Sequence, residues 1–262
     1  MLIDGKLPNI YDTHINQSYM HLKDLNLKGE NSIHYWINNI KDEKLLFHLN
    51  KLRNAPEIKK TILEKYTNHE IISVHNSDEI YISVSPKERK GSDIALSDCH
   101  YDAPFKYIYQ GGNVFLRVIL ALNENDTVYT EVENKKSLIS RSEYNIIDYN
   151  QDYHCVHGEI PNNKNRILLK LHFIAKPINS HQFWTDFCEY INNSWTHLSR
   201  ELMRISIEPK TFLETIIKYI VLGSRLFWNY TWYILTIIFI LLYLLYLYPF
   251  KKIKRMKNKK IT

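Results

Sequence analysis

The sequence predicts an α+β chain, mainly β: a helical N-terminal part, a sandwich or barrel of antiparallel strands, and a transmembrane helix near the C-terminus. Three observations predict it. Apolar residues recur at three- and four-residue spacing between about residues 17 and 66. Six short runs rich in β-branched and aromatic residues follow within about 105 residues, between polar turns such as YQGGN and NENDT. Residues 226–250 then hold 25 positions without a charge.

The elements follow in order. From Ser32 to Tyr66, HYWINNIKDEKLLFHLNKLRNAPEIKKTILEKY reads as helix, and Pro56 separates two helices because its ring removes an N–H and clashes with the preceding turn. The runs EIISVH, EIYISVS, VFLRVILAL, TVYTEV, YNIIDYN and RILLKLHFIA read as strands of a β core over about 70–177. Residues 181–210 return to helical spacing. The expected organisation is a main domain over 1–180, a helical membrane-proximal segment over 181–225, the span over 226–250 and a basic tail over 251–262.

A chain of 262 residues has room for one ample domain and an appendage. Its 45% hydrophobic and 24% charged content is that of a folded protein, and 7 Gly with 8 Pro exclude long low-complexity linkers. The net charge of +6 is local: removing the seven Lys and Arg of KKIKRMKNKKIT from 34 leaves 27 basic residues against 28 acidic. The basicity thus belongs to the tail, and no nucleic-acid partner is expected. Cys99, Cys155 and Cys188 show no CxxC spacing, which excludes a dense disulfide framework and a structural zinc site. Cys99 and Cys155 are expected to pack rather than pair, a disulfide between them requiring that their strands be adjacent. The N-terminus carries no apolar run of signal-peptide length.

A helix needs about 20 apolar residues to cross a bilayer, and 226–250 exceeds that with Trp228, Trp232, Tyr246 and Tyr248 at its ends as interfacial aromatics. A single-pass membrane location follows as an expectation, the membrane being reached through this helix. Its orientation is left open, since the basic tail argues for a cytoplasmic C-terminus while tail-anchored insertion gives the reverse.

The chemistry begins at SDCHYDAPF. His100 and Asp102 are two apart, so on an extended segment they share a face. Two histidines and one carboxylate form the facial triad of non-haem iron(II) oxygenases, which leaves three coordination positions open. A distal histidine is available in IDYNQDYHCVHGEI, as His154 or His157; being three apart, they point to opposite faces of a strand, so one of them reaches the metal. Arg166 opens the next run and shares a face with Leu168, Lys170 and His172, where it could grip a carboxylate bidentately.

HxD, then RVILALN, then DYNQDYH, then an Arg on the next strand resembles the 2-oxoglutarate/Fe(II)-dependent oxygenases, in their prolyl-hydroxylase-like group, over roughly residues 70–177. The resemblance implies a double-stranded β-helix (jelly-roll) core. It implies Fe(II) on His100, Asp102 and a distal histidine, with His154 favoured over His157 by the wording of DYNQDYH. It further implies 2-oxoglutarate on the metal with Arg166 on its far carboxylate, O2 as oxidant and ascorbate as an accessory reductant. One departure stands out: the Tyr that many members carry in YLN is Ala121 here, and Arg117, Tyr107 or Tyr109 are the candidates to replace it. The expected activity is hydroxylation of a C–H bond of a protein side chain, small molecule or lipid near the membrane. The alternatives are a non-catalytic, membrane-tethered binding module of the same fold, and a cupin-like metalloprotein with no use for Arg166.

Overall fold

The computed structural model describes residues 2–25, 32–84, 99–103, 105, 107–161 and 164–226. Its elements in chain order are β1 (Leu2–Lys6), α1 (Asp12–Leu22), β2 (Ile33–Trp36), α2 (Glu43–Arg53), α3 (Pro56–Lys65), β3 (His69–Ser73) and β4 (Glu79–Val84). They continue with β5 (Val114–Ala121), β6 (Tyr129–Val132), β7 (Lys135–Ser137), β8 (Glu143–Asp148), β9 (His154–His157), β10 (Asn165–Pro177), α4 (Gln182–Ile207) and α5 (Phe212–Leu226). The chain divides into two compact units, Met1–Arg200 and Glu201–Thr262.

Local chemistry sets the helix boundaries. Asp42 caps α2, its Oδ1 accepting from the backbone N–H groups of Lys44 and Leu45 at 3.0 and 3.1 Å. Pro56 opens α3 at a first-turn position, where its missing N–H costs nothing. The expected helical reading of Ser32–Tyr66 is corrected at its start. Ile33–Trp36 is a strand paired with β4, and its partial burial on both faces blurs the alternation that would have marked it.

All strand pairs are antiparallel. Seven strands form one sheet in the order β1-β8-β5-β10-β4-β2, with β3 also on β10, and three form a second sheet in the order β7-β6-β9. This mainly antiparallel, two-sheet arrangement with flanking helices is consistent with a jelly roll. All six strands expected from the apolar runs are present.

The 13-residue β10 lies at the centre of the large sheet and reads as an unbroken buried run because each face meets a different core. Ile167, Leu169, Leu171 and Phe173 join Leu49, Leu52, Ile58 and Ile62 of α2 and α3 in the main apolar cluster. Leu168 and Ile174 point the other way, into the space between the sheets, with Ile119, Ala121, Tyr81 and Val132 near the first and Phe115, Tyr149 and Ala103 near the second. By alternation Arg166, Lys170 and His172 share that inner face.

Up to Arg200, α4 packs across the inner side of the large sheet. Its Thr196 meets the Tyr149 hydroxyl at 2.9 Å, and His197 lies over Trp36 with ring centroids 4.3 Å apart. In the second unit, Arg204 bonds Glu201 and Glu214 at 2.5 and 2.9 Å.

The membrane location expected from the sequence is corrected. Among the described residues, no helix is long and apolar enough to cross a membrane. The expected span over 226–250 and the basic tail lie outside the described residues, apart from Leu226 at the end of α5.

Candidate metal centre

Alternation along β9 decides which histidine faces inward. His154 is opposite Val132, whose side chain belongs to the inner apolar cluster, while His157 is opposite Tyr129 on the outer face. His154 is accordingly buried, and His157 is 42% exposed and faces Glu131 at 3.5 Å. His100 comes from a segment outside the named strands that makes a single antiparallel bridge to His154, which sets the two rings side by side with centroids 4.5 Å apart. Asp102 follows two residues later on the same side.

The structure brings His100, Asp102 and His154 together, with one ligand atom of each within 4.8 Å of the others. His100 Nε2 lies 3.8 Å from Asp102 Oδ1, and His154 Nε2 lies 3.9 Å from Asp102 Oδ2. Both separations are too long for hydrogen bonds. The ring of His154 is oriented from behind: its Nδ1 is 3.3 Å from the carbonyl of Asp152, which leaves Nε2 as the free donor atom.

Charge is arranged to suit a cation. Burial pushes the Asp102 carboxyl upward, but Arg117 first and the two histidines next outweigh it and hold the group far below the usual carboxylate range. Burial lowers His154 to about 4, against the pull of Asp102, so its imidazole is neutral at pH 7, as a ligand must be.

Arg117, a candidate for the place of the missing Tyr, contacts Asp102 instead. Its Nη1 is 2.5 Å from Asp102 Oδ2, and its Nε donates to His172 Nε2 at 3.0 Å. The backbone N–H of His172 donates to Asp78 Oδ1 at 2.8 Å, and Arg53 Nε donates to Asp78 Oδ2 at 2.9 Å. A buried chain of polar contacts thus joins α2 to the carboxylate of the trio. Trp195 of α4 closes the other side, donating from Nε1 to the Asp102 carbonyl at 3.0 Å. Tyr107 and Tyr109, the other two candidates to replace the Tyr, are 83% and 71% exposed.

Further along the inner face, Lys170 lies 3.6 Å from Glu79 and 4.2 Å above the Tyr81 ring; burial is the main cause that lowers its amine to about 7. Arg166 is also buried, which lowers it to about 10 and leaves it charged at neutral pH. Among the described residues, nothing accepts a hydrogen bond from its Nε. Asn145 lies opposite Ile119 and is fully buried, yet neither atom of its amide has a partner among the described residues.

One expectation fails at this site. Cys99 and Cys155 do not merely pack: they form a disulfide with Cα atoms 4.2 Å apart. Each flanks a histidine of the bridged pair, and cross-strand geometry sets them face to face.

No protein-family model matches the chain, and no curated protein matches it. Solved structures that resemble it are prolyl hydroxylases and non-haem 2-oxoglutarate-dependent oxygenases. A prolyl 4-hydroxylase from Phytophthora capsici is 13% identical with a TM-score of 0.45, covering 85% of this chain and 79% of that one. The non-haem α-ketoglutarate-dependent epimerase SnoN from nogalamycin biosynthesis is 10% identical at 0.46, covering 68% and 81%. A Pseudomonas putida prolyl-4-hydroxylase is 12% identical at 0.40, covering 67% and 92%. Similarity at this level assigns neither activity nor substrate to the chain.

Proposed function

We propose that this protein is an Fe(II)- and 2-oxoglutarate-dependent oxygenase that hydroxylates a C–H bond of a protein side chain or a small molecule. The observation that carries the reading is the convergence of His100, Asp102 and His154 on one spot. Two imidazoles and one carboxylate are the donor set of a non-haem iron(II) site and would leave open positions for a cosubstrate and dioxygen. The inner face fits a dicarboxylate guest. A buried guanidinium with an unmet donor is costly, and Arg166 Nε has no acceptor among the described residues.

Iron and 2-oxoglutarate together supply the activation of dioxygen, coupled to conversion of the cosubstrate to succinate and carbon dioxide. The side chains do the remaining work. Arg117 keeps Asp102 ionised and fixes its rotamer. The Asp152 carbonyl fixes the tautomer of His154. Arg166 would take the far carboxylate of 2-oxoglutarate, where its fork geometry suits two parallel hydrogen bonds. Tyr81, which contributes to the electrostatics of Arg166 from the adjacent strand, stands in for the Tyr absent at Ala121. Phe115, Tyr149 and Ile174 exclude water from behind the trio.

The test is succinate release from 2-oxoglutarate by the full chain with Fe(II) and ascorbate under air, beside His100→Ala. Release by the wild type and its loss in the variant is the expected result. Absence of release together with absence of 2-oxoglutarate binding in the iron-loaded wild type would sink the reading.

A further inference from the structure

His100 and His154 are direct antiparallel partners, each backbone N–H donating to the other's carbonyl at 2.9 and 3.0 Å. In such a pair, the residue before one partner and the residue after the other are also opposite, closer together and on the reverse face. Those residues are Cys99 and Cys155, and they are bonded. The disulfide therefore lies directly behind the two imidazoles.

Residues 99–103 lie outside the named strands, and a single antiparallel bridge joins them to β9. Tyr101 packs against Tyr153 with ring centroids 5.0 Å apart, Ala103 is buried in an apolar cluster, and Asp102 is tied to Arg117 and Trp195. The disulfide is the covalent tie across this bridge, and it is within reach of solvent: Cys99 is exposed and Cys155 half-buried.

We propose that the Cys99–Cys155 disulfide is a clamp that sets the separation of His100 and His154, so that metal affinity follows the redox state of the bond. This rests on the trio being a metal site and not on its oxygenase chemistry. A dithiol would release the clamp: it delivers two electrons and two protons, the S–S bond breaks, each sulfur leaves as a thiol, and the dithiol closes to its own disulfide. Because coupling between two sites is reciprocal, metal bound to the trio must in turn protect the bond from reduction.

Mn(II) serves as the probe, titrated into the full chain and followed by the electron paramagnetic resonance of the free ion. Three forms are compared: oxidised, phosphine-reduced, and the double variant Cys99→Ser/Cys155→Ser, each checked by circular dichroism. Misplaced ligands cost about 10–100-fold in metal affinity, and that loss is expected in both forms lacking the bond. Saturating Mn(II) should also move the disulfide midpoint to more negative potential by about 30 mV for each tenfold change. A purely structural disulfide would leave the Mn(II) affinity and the midpoint unmoved.

Equal Mn(II) affinity in all three forms overturns the clamp and leaves the metal site standing. No Mn(II) binding even to the oxidised form removes both together. Loss of the fold on reduction overturns the clamp as well, since the bond would then hold the domain and not the ligands.

Discussion

Two buried carboxylates face the same interior, and they are treated oppositely. Glu79 is closed off. Its Oε2 accepts from Arg200 Nε at 2.8 Å and lies 3.0 Å from His34 Nδ1, while its Oε1 accepts from Arg200 Nη2 at 2.5 Å with Lys170 at 3.6 Å. Asp102 has one close cation, Arg117, and two imidazoles held too far away to bond it. Both groups stay ionised, because nearby positive charge outweighs the burial that would protonate them. The difference is in what is left over. Glu79 is the centre of an ion cluster that joins α4 to the sheet, whereas Asp102 is grouped with two histidines whose ligand atoms lie within 4.8 Å of one another. A satisfied buried network rigidifies, and a His-Asp-His group is of the composition that could hold a metal ion.

The sharpest way to break the contrast is at Glu79. Arg200→Met removes the cluster's principal cation and leaves a buried carboxylate undercompensated, which costs about 3–5 kcal/mol. Urea denaturation of the full chain should show a loss of that size. The paired change Glu79→Leu/Arg200→Met should recover most of it, because no charge is then stranded. Should the single variant prove as stable as the wild type, the cluster is not a structural tie.

At Asp102 the deciding readout is metal binding. Asp102→Asn removes the charge that a metal requires, and it also leaves the buried Arg117 guanidinium without its carboxylate, so a loss is expected in folding as well as in metal binding. Mn(II) at 100 times its dissociation constant should stabilise the wild type by about 2.7 kcal/mol and leave the variant unchanged. Thermal unfolding with and without the ion reads both. Equal stabilisation of the two would place the bound metal elsewhere.

A smaller effect tests the chain of contacts behind Asp102. Asp78 is buried, which raises its pKa, but bonds to His172 and His75 and the charge of Arg53 bring it down to about 2. An acid with a depressed folded pKa contributes stability above its unfolded value, near 4, and loses it as pH falls toward 2. The shift corresponds to about 2 kcal/mol at 1.36 kcal/mol per pH unit. Stability measured at pH 5 and at pH 2.5 should therefore fall further in the wild type than in Asp78→Asn, by about that amount. An identical fall in both would mean that Asp78 gains nothing from its partners.

These partners also mark the boundary of what could be read in advance. The long strands were legible because β5 and β10 carry long, mostly apolar runs, and His100 with Asp102 stood out by spacing. Short edge strands were not legible: β1, β2 and β7 have five, four and three residues and owe their conformation to a neighbour. The disulfide was readable in principle, since Cys99 precedes His100 and Cys155 follows His154, and once the histidines are cross-strand partners the cysteines are too. It is not the expected outcome because nothing in the sequence establishes that the two segments are adjacent. The ion cluster of Glu79 was out of reach, as it joins β2, β4, β10 and α4 through contacts up to 121 residues apart. The apolar run over 226–250 led to a membrane location that no helix among the described residues supports.

The last test falls on Arg166, a buried cation whose Nε has no acceptor among the described residues. Lys170, nearer to Asp102, is engaged by Glu79, and burial has brought its amine to about 7. Arg166 keeps its charge and has a donor to spare. Arg166→Lys preserves the charge but replaces a planar fork with a point donor. Loss of one charge-assisted hydrogen bond costs about 1.5–3 kcal/mol, roughly 10–150-fold in 2-oxoglutarate affinity. The loss should appear in KM for 2-oxoglutarate, with Mn(II) affinity unchanged because Arg166 is not a ligand. If Arg166→Ala kept full affinity for 2-oxoglutarate, the carboxylate site would move to Lys170. If Arg166→Ala and Lys170→Met both kept full activity, the trio would belong to a metalloprotein that takes no dicarboxylate at all.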